Sequence, residues 1–310
     1  MSLSPKAAAA SRWKRRVGIC TLCPRNCKAE RAEETGAGVC RMGTMPRIAR
    51  AALHMWEEPC ISGTRGSGAV FFSGCGLRCV FCQNERISQK GEGKQVTPKR
   101  LSEIFRELEE QGAHNINLVT AAHFVPAVLD ALALYRPNLP IVYNSSGYES
   151  VETLRMLDGA VDIYLPDLKY FSPELSAAYS HAPDYFEIAC AAIAEMYRQV
   201  LDPVMDPDTG LMQRGMIVRH LLLPGQAKDS KKILRYLHET YGDHIYISIM
   251  NQYTPLPQVA DIEALNRTVT PEEYDRVLRF AERIGIEQGF RQEGSAACES
   301  FIPEFDERGL

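Results

Sequence analysis

From residue 69 onward, short and almost continuously apolar runs alternate with amphipathic segments, and this alternation limits the available folds more than any other feature. The runs AVFFSGC (69–75), NINLVT (115–120), PIVYNSS (140–146), VDIYLPDLK (161–169), MIVRHLLLP (216–224) and HIYISIM (244–250) read as six strands. Near-continuous apolar character is what a parallel sheet covered on both faces requires. A helical pattern follows each run, at 97–112, about 124–135, 150–157, 184–199, 229–240 and 271–284. The first of these has Thr97 as N-cap, Pro98 at the first helical position, Leu101, Ile104, Phe105 and Leu108 on one face, and Gly112 as a stop. Right-handed crossovers curl such a series into a barrel. The stretch is short for a full eight-unit barrel of about 250 residues. The expected fold is therefore α/β, a partial (β/α)6 TIM-like barrel, with a doubly wound open sheet as the alternative.

The polar residues that chemistry needs fall at the carboxyl ends of these strands, where such sheets carry their sites. They are Thr120 and His123, then Asn144, Ser145 and Ser146, then Asp167 and Lys169, then Arg219 and His220, and finally Asn251 and Gln252. With 310 residues, 45% hydrophobic content and a formal charge of -4, the chain suits one large domain with an appendage. That charge gives no sign of a nucleic-acid or membrane partner. The first sixteen residues hold Lys6, Arg12, Lys14, Arg15 and Arg16 and no acid, and read as a disordered arm. Neither an export signal nor a run of roughly 18 apolar residues is seen, so a soluble, cytoplasmic chain is expected. The division expected is a basic arm (1–16), a cysteine-rich segment (17–66), the barrel (67–285) and a carboxyl-terminal extension (286–310).

Eight of the ten cysteines lie between residues 20 and 82, and only Cys190 and Cys298 lie outside. In a reducing compartment, clustered thiols point to soft metal ions or iron–sulfur clusters rather than disulfides. Directly after the first strand, SGCGLRCVFCQNERIS carries Cys75, Cys79 and Cys82. Three thiolates without a nearby fourth ligand fit zinc poorly, and suit a four-iron cluster with one iron left open. Gly74 and Gly76 permit the tight backbone such a loop needs. Upstream, Cys20, Cys23, Cys27 and Cys40 make a closed four-ligand set, with Cys60 as an alternative member. Zinc and an auxiliary iron–sulfur cluster both satisfy that count, and either metal would help a segment without an apolar core to fold. The segment reads as a lid or docking surface. Cys190 reads as a core thiol, and Cys298 as a free thiol or one turned toward the barrel mouth.

The run Cys75, Cys79, Val80, Phe81, Cys82 resembles the CxxxCxφC hallmark of the radical S-adenosylmethionine superfamily, where φ is aromatic. The resemblance implies a [4Fe-4S] cluster on Cys75, Cys79 and Cys82, whose open iron chelates the amine and carboxylate of S-adenosylmethionine. Reductive cleavage of the sulfonium then yields a 5'-deoxyadenosyl radical that abstracts a hydrogen atom. More narrowly, NSSGY (144–148), LPDLKY (165–170) and VRHLLLPG (218–225) are similar to the pyruvate formate-lyase activating enzyme branch and its PflX-like relatives. By that analogy Phe81 packs near the adenine, and Asn144 and Ser145 near the ribose or methionine end. Asp167 helps to hold a monovalent cation or the methionine group, while Lys169 and Arg219 turn positive charge toward carboxylates. An Asp-x-Lys pair also suits a structural ion pair. VTAAHF (119–124) departs from the Gly-Gly-Glu-like turn of that branch, leaving Thr120 and the local backbone for the cofactor amine and His123 beside them. The implied partners are an electron donor such as flavodoxin or ferredoxin and a protein or peptide substrate. A radical enzyme acting on a small molecule, and a non-catalytic iron–sulfur carrier, are the alternatives.

Overall fold

The computed structural model describes residues 19–292 and 303–310. The expected basic arm, Cys298 and part of the carboxyl-terminal extension lie outside the described residues. Ten strands belong to one sheet: β1 (Arg47–His54), β2 (Ser67–Phe72), β3 (Lys94–Gln95), β4 (Ile116–Val119), β5 (Ile141–Ser145), β6 (Ile163–Pro166), β7 (Val204–Met205), β8 (Met212–Leu221), β9 (Tyr246–Met250) and β10 (Gly289–Arg291). Their order is β10-β9-β8-β6-β5-β4-β2-β1-β3, with β7 beside β8. Every pairing from β10 to β2 along this order is parallel, and β1 is antiparallel to both of its neighbours. The six strands expected from the apolar runs are β2, β4, β5, β6, β8 and β9. Since the two ends of the order do not pair among the described residues, the result is a partial TIM-like barrel, open along one side.

The crossovers run through α1 (Pro98–Glu110), α2 (Val125–Leu134), α3 (Val151–Leu157), α4 (Pro173–Ser180) followed by α5 (Tyr185–Val200), and α6 (Ala227–Tyr241). A last helix, α7 (Pro271–Arg283), leads from β9 to β10. At the start of α1, the Arg100 N–H donates to Thr97 Oγ1 at 3.1 Å, and Leu101, Ile104, Phe105 and Leu108 are buried as their spacing requires. Thr270 and Glu273 close a capping box on α7. Helix α4 was not expected. It is capped by Ser172, but Ser176, Tyr179 and Ser180 form its buried face, so it carries no apolar stripe for a sequence to reveal.

Residues 47–54, grouped from the sequence with the cysteine-rich segment, form β1 of the barrel sheet itself. The one-turn helix Pro59–Ser62 that follows turns inward. Its Cys60 and Ile61 pack with Val142, Ile163, Leu165, Met212 and Ile217. On β5, β6 and β8 these side chains share a face with Asn144, Asp167 and Arg219, two residues on, so the cluster is the floor of the barrel interior. The other face of the sheet packs against the helices, with Val70, Leu118, Tyr143, Tyr164 and Val218 among its buried residues. Residues 303–310 run along β1, where the Ala51 N–H donates to Arg308 O and the Glu307 N–H to Ala49 O, and where Phe305 meets Phe71 edge-on. Among the described residues no helix is long and apolar enough to cross a membrane.

Ile61 has no exposed surface, whereas Leu134 on α2 is 61% exposed. Ile61→Ala is expected to cost about 2–5 kcal/mol by opening the barrel floor. Leu134→Ala should stay within about 0.5 kcal/mol of wild type. Urea unfolding midpoints of the two variants check this contrast.

Candidate active site

Cys75, Cys79 and Cys82 lie on the loop that leaves the carboxyl end of β2. Gly74 has φ +82°, and a side chain there would collide with Met42, so the turn into the loop requires glycine. Gly76 has no positive φ. A Cβ on it would stand 3.3 Å from Cys23 Sγ, so its small size serves close packing rather than backbone freedom. Each of the three sulfurs accepts a hydrogen bond: Leu77 N–H to Cys75 at 3.4 Å, Ser180 Oγ to Cys79 at 3.0 Å, and Ser88 Oγ to Cys82 at 3.3 Å. Burial pushes the Cys79 thiol up against the opposing pull of Lys169. Burial, with the neighbouring Cys79, pushes Cys82 up to about 12. Binding as thiolates therefore calls for strong positive charge at this spot.

A cavity of about 440 Å³ opens beside these cysteines and runs through the barrel interior. Phe81, Thr120, Asn144, Ser145, Asp167, Lys169 and Arg219 all line it, so the structure brings together every cofactor-binding residue expected from the sequence. Phe81 meets the edges or faces of Tyr170, Tyr179 and Tyr253 with ring centroids 5.9–6.5 Å apart. Thr120 has φ +63°, a strained conformation for a β-branched residue and one that persists mainly at functional sites. His123 is turned away from the cavity. Its Nε2 meets Ser73 O at 2.7 Å, its ring lies on Phe124, and burial lowers it to about 3, which makes it a neutral pin beneath the cysteine loop. His220 and Asn251 also stay out of the cavity lining, while Gln252 joins it.

The charged residues form one network around a residue the sequence reading missed, Glu57. Arg219 donates from Nε to Asp167 Oδ1 at 3.1 Å, from Nη1 to Glu57 Oε2 at 3.1 Å and from Nη2 to Asn144 Oδ1 at 2.6 Å. Lys169 Nζ holds Asp167 Oδ2 at 2.6 Å, and Asn117 Nδ2 reaches Glu57 Oε1 at 2.9 Å. Burial works against the ionised form of Asp167, yet Lys169 and Arg219 keep its carboxyl below the usual carboxylate range. Burial also opposes the charge on Arg219, and Asp167, Glu57 and Glu58 more than offset it. Glu57 and Glu58 are both raised, chiefly by burial. Asp167 thus has both oxygens engaged, so a monovalent cation there competes with two side-chain cations. No local pattern marks Glu57. It is drawn in by partners 60 to 162 residues away.

Cys20, Cys23, Cys27 and Cys40 belong to the loop packed over the cysteine loop of β2. Cys60 instead lies in the barrel floor, away from them. Cys190 is half-buried on α5, with Tyr236 as its hydrogen-bond partner. Among the described residues, no three His, Cys, Asp or Glu side chains are gathered closely enough to hold a single metal ion.

The family model described as Radical SAM superfamily matches residues 69–237. An uncharacterized protein of Methanocaldococcus jannaschii is 29% identical over 279 residues, which cover 86% of this chain and 75% of that protein. Among solved structures, a domain of a pyruvate-formate lyase-activating enzyme from Bacteroides vulgatus aligns with a TM-score of 0.37 at 13% identity, over 63% of this chain and 91% of that domain. Streptococcus suis SuiB bound to S-adenosylmethionine aligns with a TM-score of 0.47 at 10% identity, over 71% of this chain. The chain spans 48% of SuiB, about half its length.

Arg219→Met is expected to destabilise the fold by about 3–5 kcal/mol, because it leaves buried carboxylates uncompensated. Glu57→Gln in the same background should recover part of that loss, as read from denaturant midpoints. A second expectation concerns Glu149, buried beneath Tyr143 and Ser145 and raised by that burial from 4.5 to about 8. A carboxyl raised in the folded state contributes its stability fully below its unfolded value and loses it as pH rises through the folded value. Glu149→Gln should therefore gain stability over wild type between pH 4.5 and about 8, and level off above that. Urea midpoints below, within and above this window check the sign.

Proposed function

Because the chain belongs to the radical SAM superfamily, we propose that Cys75, Cys79 and Cys82 hold its [4Fe-4S] cluster, and that the adjoining cavity receives S-adenosylmethionine for radical chemistry on a protein or peptide. The observation that carries this reading is the donor set: three thiols, each with its own hydrogen-bond donor, beside a cavity lined by a charged network. Three thiolates from the protein leave one iron of such a cluster open. When bound, cluster and cofactor supply a 5'-deoxyadenosyl radical able to abstract a hydrogen atom from a substrate. The chain's own part is to orient and to exclude water.

Phe81 and the tyrosines around it offer an aromatic wall for the adenine. Asn144 and Ser145 offer hydrogen-bonding groups for the ribose or methionine end, and Thr120 would offer its hydroxyl to the amine. Lys169 provides positive charge near Cys79. Arg219 has a nitrogen committed to each of Asp167, Glu57 and Asn144, so its role is to position Asn144 and Asp167. A one-electron protein donor of the flavodoxin or ferredoxin class supplies the reducing electron.

The size of the cavity favours a macromolecular substrate. About 440 Å³ lies toward the small end of the range of roughly 300–1,000 Å³ that holds one small ligand. With S-adenosylmethionine inside, only a small reactive group has room beside it. The cavity continues to the open side of the barrel, where His54 at the end of β1, Trp56 just after it, and Phe290 and Arg291 on β10 line it. Trp56 is 61% exposed there, and exposed aromatic residues of this kind commonly anchor a protein partner.

The test is 5'-deoxyadenosine formation by the anaerobic, reduced protein, supplied with either the macromolecular or the low-mass fraction of a cell extract. A several-fold rise with the macromolecular fraction alone is expected, and Cys79→Ala should give no product with either. A rise confined to the low-mass fraction would establish a small-molecule substrate instead. No product from wild type carrying its full iron would favour the electron-carrier alternative.

A further inference from the structure

The amino-terminal cysteines line no part of the cavity, yet the loop that carries them is built onto the loop of Cys75, Cys79 and Cys82. Cys23 Sγ lies 3.3 Å from the Cβ position of Gly76, the residue that follows Cys75. Arg25 donates from Nε to Gly76 O at 2.8 Å, and from Nη2 to Leu77 O at 3.2 Å and Ser180 O at 2.8 Å. Ser180 is the residue whose hydroxyl donates to Cys79. Cys40 O stands 3.0 Å from the Cβ position of Gly74, and Arg78 reaches back to Val39 O at 3.1 Å. The two loops therefore meet through side chains set directly on main chain, with Cys23 and Cys75 on either side of Gly76.

The upstream set is itself drawn into one place. The Cys20 N–H donates to Ala29 O at 3.0 Å, and Arg31, with Nη1 3.7 Å from Cys20 Sγ, donates from Nε to Met42 O at 3.0 Å. Bridges between Arg31 and Gly36 and between Thr35 and Met42 fold residues 31–42 back, and Cys27 Sγ comes 2.9 Å from the Cβ position of Gly38. Four cysteines satisfy zinc or an iron–sulfur cluster in number, and the contact with the loop of Cys75, Cys79 and Cys82 is what favours the redox-active group. Cys27 is exposed, and the apolar side chains of Ile19 and Val39 beside the set are 62% and 36% exposed.

We propose that Cys20, Cys23, Cys27 and Cys40 hold a second iron–sulfur cluster, and that it is the port through which electrons reach the Cys75, Cys79 and Cys82 site. The proposal rests on the reading of that site given above. Four cysteines leave no iron open, so the upstream site binds no S-adenosylmethionine and its chemistry is electron transfer alone. A low-potential one-electron protein donor docks at the exposed rim around Cys27 and is oxidised by one electron. That electron passes across the Cys23–Gly76–Cys75 contact and is consumed in cleaving one S-adenosylmethionine. The upstream site returns to its oxidised state, and no bond within the protein is made or broken.

The experiment is reconstitution of the full chain with iron, sulfide and an equal amount of zinc, for wild type, Cys23→Ser and Cys79→Ala. Metal content, electron paramagnetic resonance and 5'-deoxyadenosine formation are then read with dithionite and with photoreduced flavodoxin. Wild type should carry about eight irons and no zinc, and each variant about four. Cys79→Ala should keep a reduced-cluster signal that S-adenosylmethionine leaves unchanged. Cys23→Ser should keep the cofactor-sensitive signal and the dithionite-driven reaction, while its flavodoxin-driven reaction slows by an order of magnitude or more. One zinc with about four irons in wild type overturns the proposal, and this outcome does not depend on how well either variant folds. Unchanged flavodoxin-driven turnover in Cys23→Ser also overturns it. A cofactor-sensitive signal that survives in Cys79→Ala sinks the reading of the barrel site itself, and the relay with it.

Discussion

Arg219 extends from β8 into an interior already holding three carboxyl groups, and its guanidinium joins elements far apart in the chain. One nitrogen meets Glu57 ahead of the floor helix, another Asn144 on β5, and the third Asp167 just past β6. In a low-dielectric interior each of these groups is costly alone, and they are tolerable together only when the geometry satisfies all of them. That requirement fixes where the carboxyl ends of β5, β6 and β8 sit relative to one another. It also locks the inward turn of residues 55–62, which closes the floor and sets the depth of the cavity. Lys169 completes the arrangement by sharing Asp167 and placing its charge toward Cys79. The cavity that adjoins the cysteine loop is thus shaped by ion pairing as much as by apolar packing.

The same physics explains what a linear reading of the chain can and cannot reveal. Each buried parallel strand must carry its own apolar run, so β2, β4, β5, β6, β8 and β9 announce themselves locally. Cys75, Cys79 and Cys82 are equally legible, because they fall within eight residues of one another directly after a strand. β1 is different. It is an antiparallel strand in which Arg47 and Arg50 interrupt small apolar residues, and its pairings with β2 and β3 are tertiary facts. β10 is only three residues long and takes its identity from β9. Glu57 could not be found from its neighbours at all, since its role comes from Asn117, Asn144 and Arg219. Gly76 was read as a source of backbone freedom, whereas it makes room for Cys23.

His123 and Thr120 show how far analogy carries within one short stretch. Both sit in VTAAHF, the stretch that departs from the pattern of the branch this sequence resembles. Thr120 lines the cavity in a strained left-handed conformation, consistent with a site residue held by its surroundings. His123, three residues on, anchors the start of the cysteine loop through Ser73 and is buried out of reach of the cavity. The amino-terminal loop braces the same cysteine loop from the other side through Arg25. Its attachment continues through Thr153, whose hydroxyl donates to Leu22 O at 2.8 Å. The cysteines of that loop carry a sequence signature, whereas Arg25 and His123, which hold the loop in place, carry none.

The central claim is that three cysteines on one loop leave a metal position open to the cofactor in the barrel cavity. Electron paramagnetic resonance of the anaerobically reconstituted, reduced protein, recorded before and after adding S-adenosylmethionine, tests it most directly. The account predicts a reduced four-iron signal whose g-values shift when the cofactor is added, because the cofactor ligates the open iron. A protein that holds its full iron and gives a signal indifferent to S-adenosylmethionine would contradict it.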